Sequence, residues 1–207
     1  MKGLIIKDFY QLKSYMRVFL FVILYCIIMG FTGEDAVFMT YYPGVMVGMM
    51  PITLYAYDEK EKFHALLATL PIKKRTYVTA KYILGFLLIL LACIATGSVQ
   101  GMKMLQAGNF VFSDFGMVMA LALAVSLVPP AIVLPLIFLF GAEKGRFLNI
   151  VVIVIAISLI NVFMDMGSDF SIILNAEQMV LAIIAAAVLI YVISWAVTAA
   201  IFEKKEY

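Results

Sequence analysis

The side chains able to do chemistry gather in one stretch, Asp58–Lys81, which reads DEKEKFHALLATLPIKKRTYVTAK. It opens on five consecutive charges, Asp58-Glu59-Lys60-Glu61-Lys62, holds the chain's single histidine, His64, and carries the basic cluster Lys73-Lys74-Arg75. One histidine cannot build a His-rich metal site. The hydroxyls of the apolar runs have no His or carboxylate beside them from which to form a nucleophilic triad. No G-x-x-x-x-G-K-[ST] occurs, and Gly141-Ala142-Glu143-Lys144-Gly145 lacks its spacing, so the chain has no route to ATP through that loop. The interiors of the apolar runs are free of Asp, Glu, Lys, Arg and His, the usual marks of proton relays, ion-coupled carriers and voltage sensors. An enzyme or a self-powered ion machine is therefore not expected, and neither is a cofactor. Cys26 and Cys93 lie inside apolar runs and read as small core hydrophobes rather than a disulfide.

What the stretch does carry is a docking pattern. Phe63, Leu66, Leu67 and Leu70 fall at i, i+3, i+4 and i+7, one face of a short helix that Pro71 ends. So short a helix is marginal alone and gains by docking its apolar face into a partner's groove. The bland alternative is a solvated connector whose lysines fix topology, although a connector needs only a few residues.

The elements that must position this stretch follow from composition. Of the 207 residues, 65% are hydrophobic and 14% charged, and mean hydropathy is +1.08. Soluble domains carry about 25% charged residues, so the solvent for most of this chain is lipid. The expected fold class is all-α, a polytopic membrane protein of one domain spanning residues 1–207. No cleavable signal pattern opens it. Met1–Arg17 is amphipathic, with Ile5, Phe9, Leu12 and Met16 at helical spacing, and reads as an interfacial helix.

Six spans are expected: about Val18–Phe31, Ala36–Tyr57, Val78–Met102, Phe115–Phe140, Leu148–Met164 and Gln178–Phe202. Pro43 and Pro51 should bend the second, and Pro129, Pro130 and Pro135 should break or kink the fourth near its middle. Residues 58–77 form the cytoplasmic segment between spans two and three. Asp165–Glu177 forms an outer loop whose apolar Phe170–Leu174 could re-enter the membrane. Mild polar residues in the spans, among them Thr40, Thr96, Ser126, Ser194 and Thr198, read as interhelical hydrogen-bonders or as a weakly polar path for an amphipathic substrate. Every Lys and Arg except Lys103 falls on one side of this arrangement. The basic side is the cytoplasmic one, so both termini are expected there.

Lys7-Asp8-Phe9, the run Tyr57-Asp58-Glu59-Lys60, Leu70-Pro71-Ile72, Arg75, Val78 and Lys81-Tyr82, in a six-span layout, resemble the bacterial type-2 ABC transporter permeases. The layout is most similar to the small permeases that export phenol-soluble modulins and related antimicrobial peptides. The resemblance implies a homodimer in the plasma membrane, resting on two separate ABC ATPase subunits that bind the ATP and Mg. It implies a coupling helix at about Glu59–Leu70, with Glu59, Glu61, Phe63, Leu66, Leu67 and Leu70 meeting the ATPase. An amphipathic peptide or other hydrophobic compound would be exported, and nucleic acid has no part. Two rival readings are a substrate-capture subunit of a vitamin importer and an immunity or scaffold protein that sequesters a peptide without any ATPase. The first fits poorly with the bulky Phe19, Leu20, Phe21, Ile23 and Leu24 of the first span, and neither needs a docking helix.

Overall fold

Apolar runs of this length must close their own backbone hydrogen bonds in lipid, which leaves the helix as the economical solution. The computed structural model describes residues 2–32, 36–69, 73–108, 110–145, 147 and 176–204, and among them every regular element is helical. In chain order these are α1 (Lys2–Thr32), α2 (Ala36–Gly48), α3 (Met50–Lys60), α4 (Phe63–Thr69), α5 (Lys74–Gln106), α6 (Phe112–Phe140) and α7 (Ala176–Lys204). Helices α5, α6 and Leu181–Lys204 of α7 are long and apolar enough to cross a membrane, and α1 contributes the shorter apolar stretch Phe19–Gly30. The chain is thus an integral membrane protein. The expected fifth span and the Phe170–Leu174 patch lie outside the described residues.

Two expectations from the sequence are corrected. The amphipathic lead-in is the first half of α1, which runs 31 residues without interruption. Ser14–Leu20 contains neither Gly nor Pro, so nothing there ends a helix. The fourth span is not broken either: α6 keeps Pro129, Pro130 and Pro135 inside one helix. Each proline frees the carbonyl four residues earlier, and neighbours close over two of the three. The Ala131 carbonyl, freed by Pro135, accepts the Ser194 hydroxyl of α7 at 2.5 Å. The Ser126 carbonyl, freed by Pro130, faces the bare Cα of Gly48 in α2, where a Cβ would stand 3.1 Å from it.

The second expected span is divided at Pro51, while Pro43 lies inside the unbroken α2. Pro51 opens α3, and Met49 between the two halves accepts an i→i+3 bond from Ile52 while donating to the Met46 carbonyl. Helix α5 is central, packing on α1, α2, α3, α6 and α7, while α6 packs most heavily on α7. Hydroxyls join these helices at depth. Tyr82 shares hydrogen bonds with Ser194 at 2.7 Å and Thr198 at 2.8 Å. Tyr191 donates to the Tyr82 carbonyl at 2.8 Å, and Thr96 reaches the Thr40 carbonyl of α2 at 3.2 Å. Contacts of this kind are worth roughly 0.6–2 kcal/mol each in a bilayer, so the interhelical reading of Thr96, Ser194 and Thr198 accounts for them.

Gly48 is the sharpest test of this packing, because its missing side chain faces both the Ser126 carbonyl and Ile89 Cδ1 at 3.1 Å. Gly48→Leu should destabilise the bundle by about 1–3 kcal/mol through overpacking, read as an earlier thermal unfolding in detergent, whereas Gly116→Leu, with open space around it, should leave unfolding unchanged.

Candidate functional site

Three helices meet at their basic-side ends through four charged residues. Lys7 and Asp8 come from α1, Asp58 from the last turns of α3, and Lys81 from α5, where Tyr77 sits one turn earlier on the same face. Lys7 Nζ reaches Asp58 Oδ1 at 2.5 Å, and Lys81 Nζ lies 2.8 Å from both Asp58 Oδ2 and Asp8 Oδ1. The Tyr77 hydroxyl donates to Asp58 Oδ2 at 2.6 Å. Asp8, Asp58 and Lys81 are buried to within 1%. Two positive and two negative charges balance, which is what makes such burial tolerable.

An aromatic wall closes the inner side of the cluster, with Lys7 partly exposed at its edge. Tyr77 stacks on Phe202 of α7 at 5.5 Å, Phe202 meets Phe138 of α6 edge-on at 5.2 Å, and Phe138 lies 4.5 Å from Tyr55 of α3. All four rings are fully buried. Burial alone would raise the Asp58 carboxyl, but the Lys81 charge and the hydrogen bonds from Lys7, Lys81 and Tyr77 outweigh it and hold it below the usual carboxylate range.

The short helix α4 rests on this cluster. After Lys60 the chain closes α3 with Glu61 N–H to the Tyr57 carbonyl at 2.9 Å, and Lys62 then turns the path with φ 54°. That left-handed conformation is uncommon for a residue with a side chain and swings α4 away from the line of α3. The Phe63 ring lies under Lys7 Nζ, 3.6 Å from its centroid, and 6.1 Å from the Tyr77 ring.

Of the residues expected to meet a partner, Glu59, Glu61 and Leu66 are exposed, Phe63 is half-buried and Leu67 is buried. Leu67 is 4% exposed and belongs to the core cluster that includes Leu4 and Tyr77, and Phe63 is half-buried beside it. Glu59, still on α3 and exposed, is engaged within the chain: its Oε2 accepts the Ala142 N–H at 2.6 Å, capping the helical turn over residues 142–145. Gly141 makes room for that carboxylate, adopting φ +86° where a Cβ would lie 2.7 Å from Glu59 Oε1. Glu61 and Leu66 face outward, Leu66 at 53% exposure, and Leu70 lies outside the described residues. Glu59, Phe63 and Leu67 therefore seat the segment, while Glu61 and Leu66 present it.

The sequence reading passed over Asp8, Asp58, Tyr77 and Lys81 as site residues. A usable signal was there: Tyr77 and Lys81 share a helix face at the edge of an apolar run, and Lys7-Asp8 and Asp58 offer complementary charges at the edges of two others. All except Tyr77 stand among the positions quoted for the family resemblance.

Residues 3–203 match the family model described as ABC-2 family transporter protein. No curated protein and no solved structure matches the chain.

Removing one member of the cluster strands the others. Asp58→Ala leaves Lys7 and Lys81 to share Asp8, one positive charge in excess, and should cost about 3–5 kcal/mol, whereas Asp58→Asn with Lys81→Met leaves Lys7 opposite Asp8 and should recover part of that loss in the same thermal-unfolding measurement. The pH profile follows from Asp58. Its contribution is complete above its unfolded value of about 3.9 and is lost as pH falls through its depressed native value. Unfolding temperature should therefore be flat near neutrality and fall in acid, with the acid fall reduced in Asp58→Asn with Lys81→Met.

Proposed function

The chain belongs to the ABC-2 family of transporter proteins, and on that premise we propose that it is the membrane half of an ATP-driven exporter, driven through α4. Membership makes it a membrane subunit of an ABC transporter with an ABC ATPase as partner. The finer reading is a homodimer on two ATPase subunits, with both termini cytoplasmic, moving an amphipathic peptide or another hydrophobic compound outward between the two copies. Glu61 and Leu66 would enter a groove of the ATPase, and Glu59, Phe63 and Leu67 would make the docked segment rigid against the spans. Leu70, one turn beyond Leu66 in sequence, completes the proposed contact.

The observation that carries this reading is the seat of α4. Movement of α4 displaces Phe63, which bears on Lys7 of α1 and on Tyr77 of α5. Both of those residues hold Asp58 of α3. A push delivered at Leu66 thus reaches three helices through one charge cluster, and breaking a buried pair costs enough, about 3–5 kcal/mol, that the helices move together rather than come apart. The chain then needs no nucleotide site of its own, because the work enters mechanically.

The test is co-expression with the ABC ATPase encoded beside the chain, followed by copurification and ATPase measurement in the same detergent. The wild-type chain should yield a 2:2 complex. Leu66→Asp, at an exposed position, should weaken the complex by about 30-fold, the effect of losing an interface hot spot of about 2 kcal/mol, while leaving the spans folded. Phe63→Ala should keep ATPase binding but lose the stimulation of its activity. A folded Leu66→Asp chain that binds and stimulates the ATPase normally would remove α4 from the coupling path.

A further inference from the structure

An apolar groove runs along the outside of the bundle between α1 and α5, on the same helices that bear the charge cluster. Leu12, Leu20 and Ile23 of α1 form one wall, Leu91 and Ala95 of α5 the other, and Val47 of α2 lies in its floor. Every described residue lining it is apolar, and its volume is about 250 Å³. The rise from Leu12 to Ile23 is about 16 Å, close to half of a ~30 Å hydrocarbon core. The groove therefore spans one leaflet.

An open apolar groove at this depth lies in the hydrocarbon, where an acyl chain is the matching filler. The rim supplies the second half of a ligand. Lys13 and Arg17 are exposed and fall with Leu20 at i, i+4 and i+7, one stripe of α1 that runs from charge directly onto the groove wall. Among the described residues neither Lys13 nor Arg17 has an ion-pair partner, in contrast to Lys7 and Lys81.

We propose that this groove binds an anionic phospholipid of the leaflet on the basic side, with one acyl chain between α1 and α5 and the phosphate held by Lys13 and Arg17. The lipid fills a surface that α2 and α3 line but do not close, and its phosphate neutralises two cations at the boundary of the hydrocarbon. The proposal stands independently of how α4 engages an ATPase.

The experiment uses the full chain in nanodiscs of phosphatidylcholine with a trace of phosphatidylglycerol carrying a photoreactive group in mid-chain, and peptide mapping after illumination. Labelling is expected on peptides containing Leu20 and Leu91. Lys13→Gln with Arg17→Gln should reduce it by about 30-fold, two surface contacts each worth about fivefold. Ala95→Trp, which fills the groove, should abolish it without touching the rim. Equal labelling by a phosphatidylcholine probe, or labelling indifferent to both variants, would overturn the proposal. So would efficient disulfide formation between two copies carrying Leu20→Cys and Leu91→Cys, since a second chain would then cover the groove. Competition by an added amphipathic peptide but not by phosphatidylglycerol would assign the groove to cargo and overturn it equally.

Discussion

Charge balance among Lys7, Asp8, Asp58 and Lys81 is the constraint on which the basic end of this molecule depends. None of the three fully buried members could be buried singly, because an unpaired ion in low dielectric costs several kcal/mol. They are buried together because three separate helices each bring a charge to the same point, and Asp58 accepts from two lysines and a phenol at once. The aromatic wall of Tyr55, Tyr77, Phe138 and Phe202 then serves a specific end. It closes the inner side of the cluster, and it ties α6 and α7 to an interaction in which they supply no charge.

Deeper in the bundle the problem changes from charge to backbone. Lipid gives helices no hydrophobic reason to associate, and the prolines of α6 leave carbonyls without donors. The structure uses the second difficulty to address the first. Ser194 supplies a donor to the carbonyl that Pro135 released, and through Tyr82 the same serine is bound into α5. Gly48 allows α2 to come close at the carbonyl that Pro130 released. Points where α6 is weakest as an isolated helix are thus points where its neighbours are fixed to it.

The sequence made some of this legible and hid the rest for physical reasons. Hydropathy located α5, α6 and α7 because each contains an apolar run of membrane length, and Phe63–Leu70 was marked out by helical spacing, one residue from the observed Phe63–Thr69. Hydropathy could not see that Asp58 and Lys81 are buried, since it sums residues one at a time, whereas the burial of a pair is a joint property. For the same reason the bond that Glu59 accepts from the Ala142 N–H, 83 positions away, is invisible in the loop's own sequence. The amphipathic pattern of α4 was real, but periodicity gives a face without naming what it faces. Phe63 and Leu67, four apart, face the chain's own core, and Leu66, one position off that line, is left outside. The continuity of α1 was missed because a change from polar to apolar composition was read as a boundary, although composition alone does not end a helix.

The chemistry of the joint beneath α4 bears on whether α4 can act as a lever. Contacts between aliphatic side chains are non-directional, so an apolar joint tolerates sliding of one helix along another at small cost. Asp58 fixes three donors at stated oxygens, Oδ1 toward Lys7 and Oδ2 toward Lys81 and Tyr77. A shift of α1 along α5 by a single residue would break the Asp8–Lys81 contact and take the buried Asp8 carboxylate from its nearest cation. Displacement at Phe63 is therefore carried into rotation or translation of α1, α3 and α5 as a unit, and little of it is lost to slippage. A connector chosen only for topology would need lysines in solution; Lys81, where the segment enters α5, instead lies 2.8 Å from two buried carboxylates.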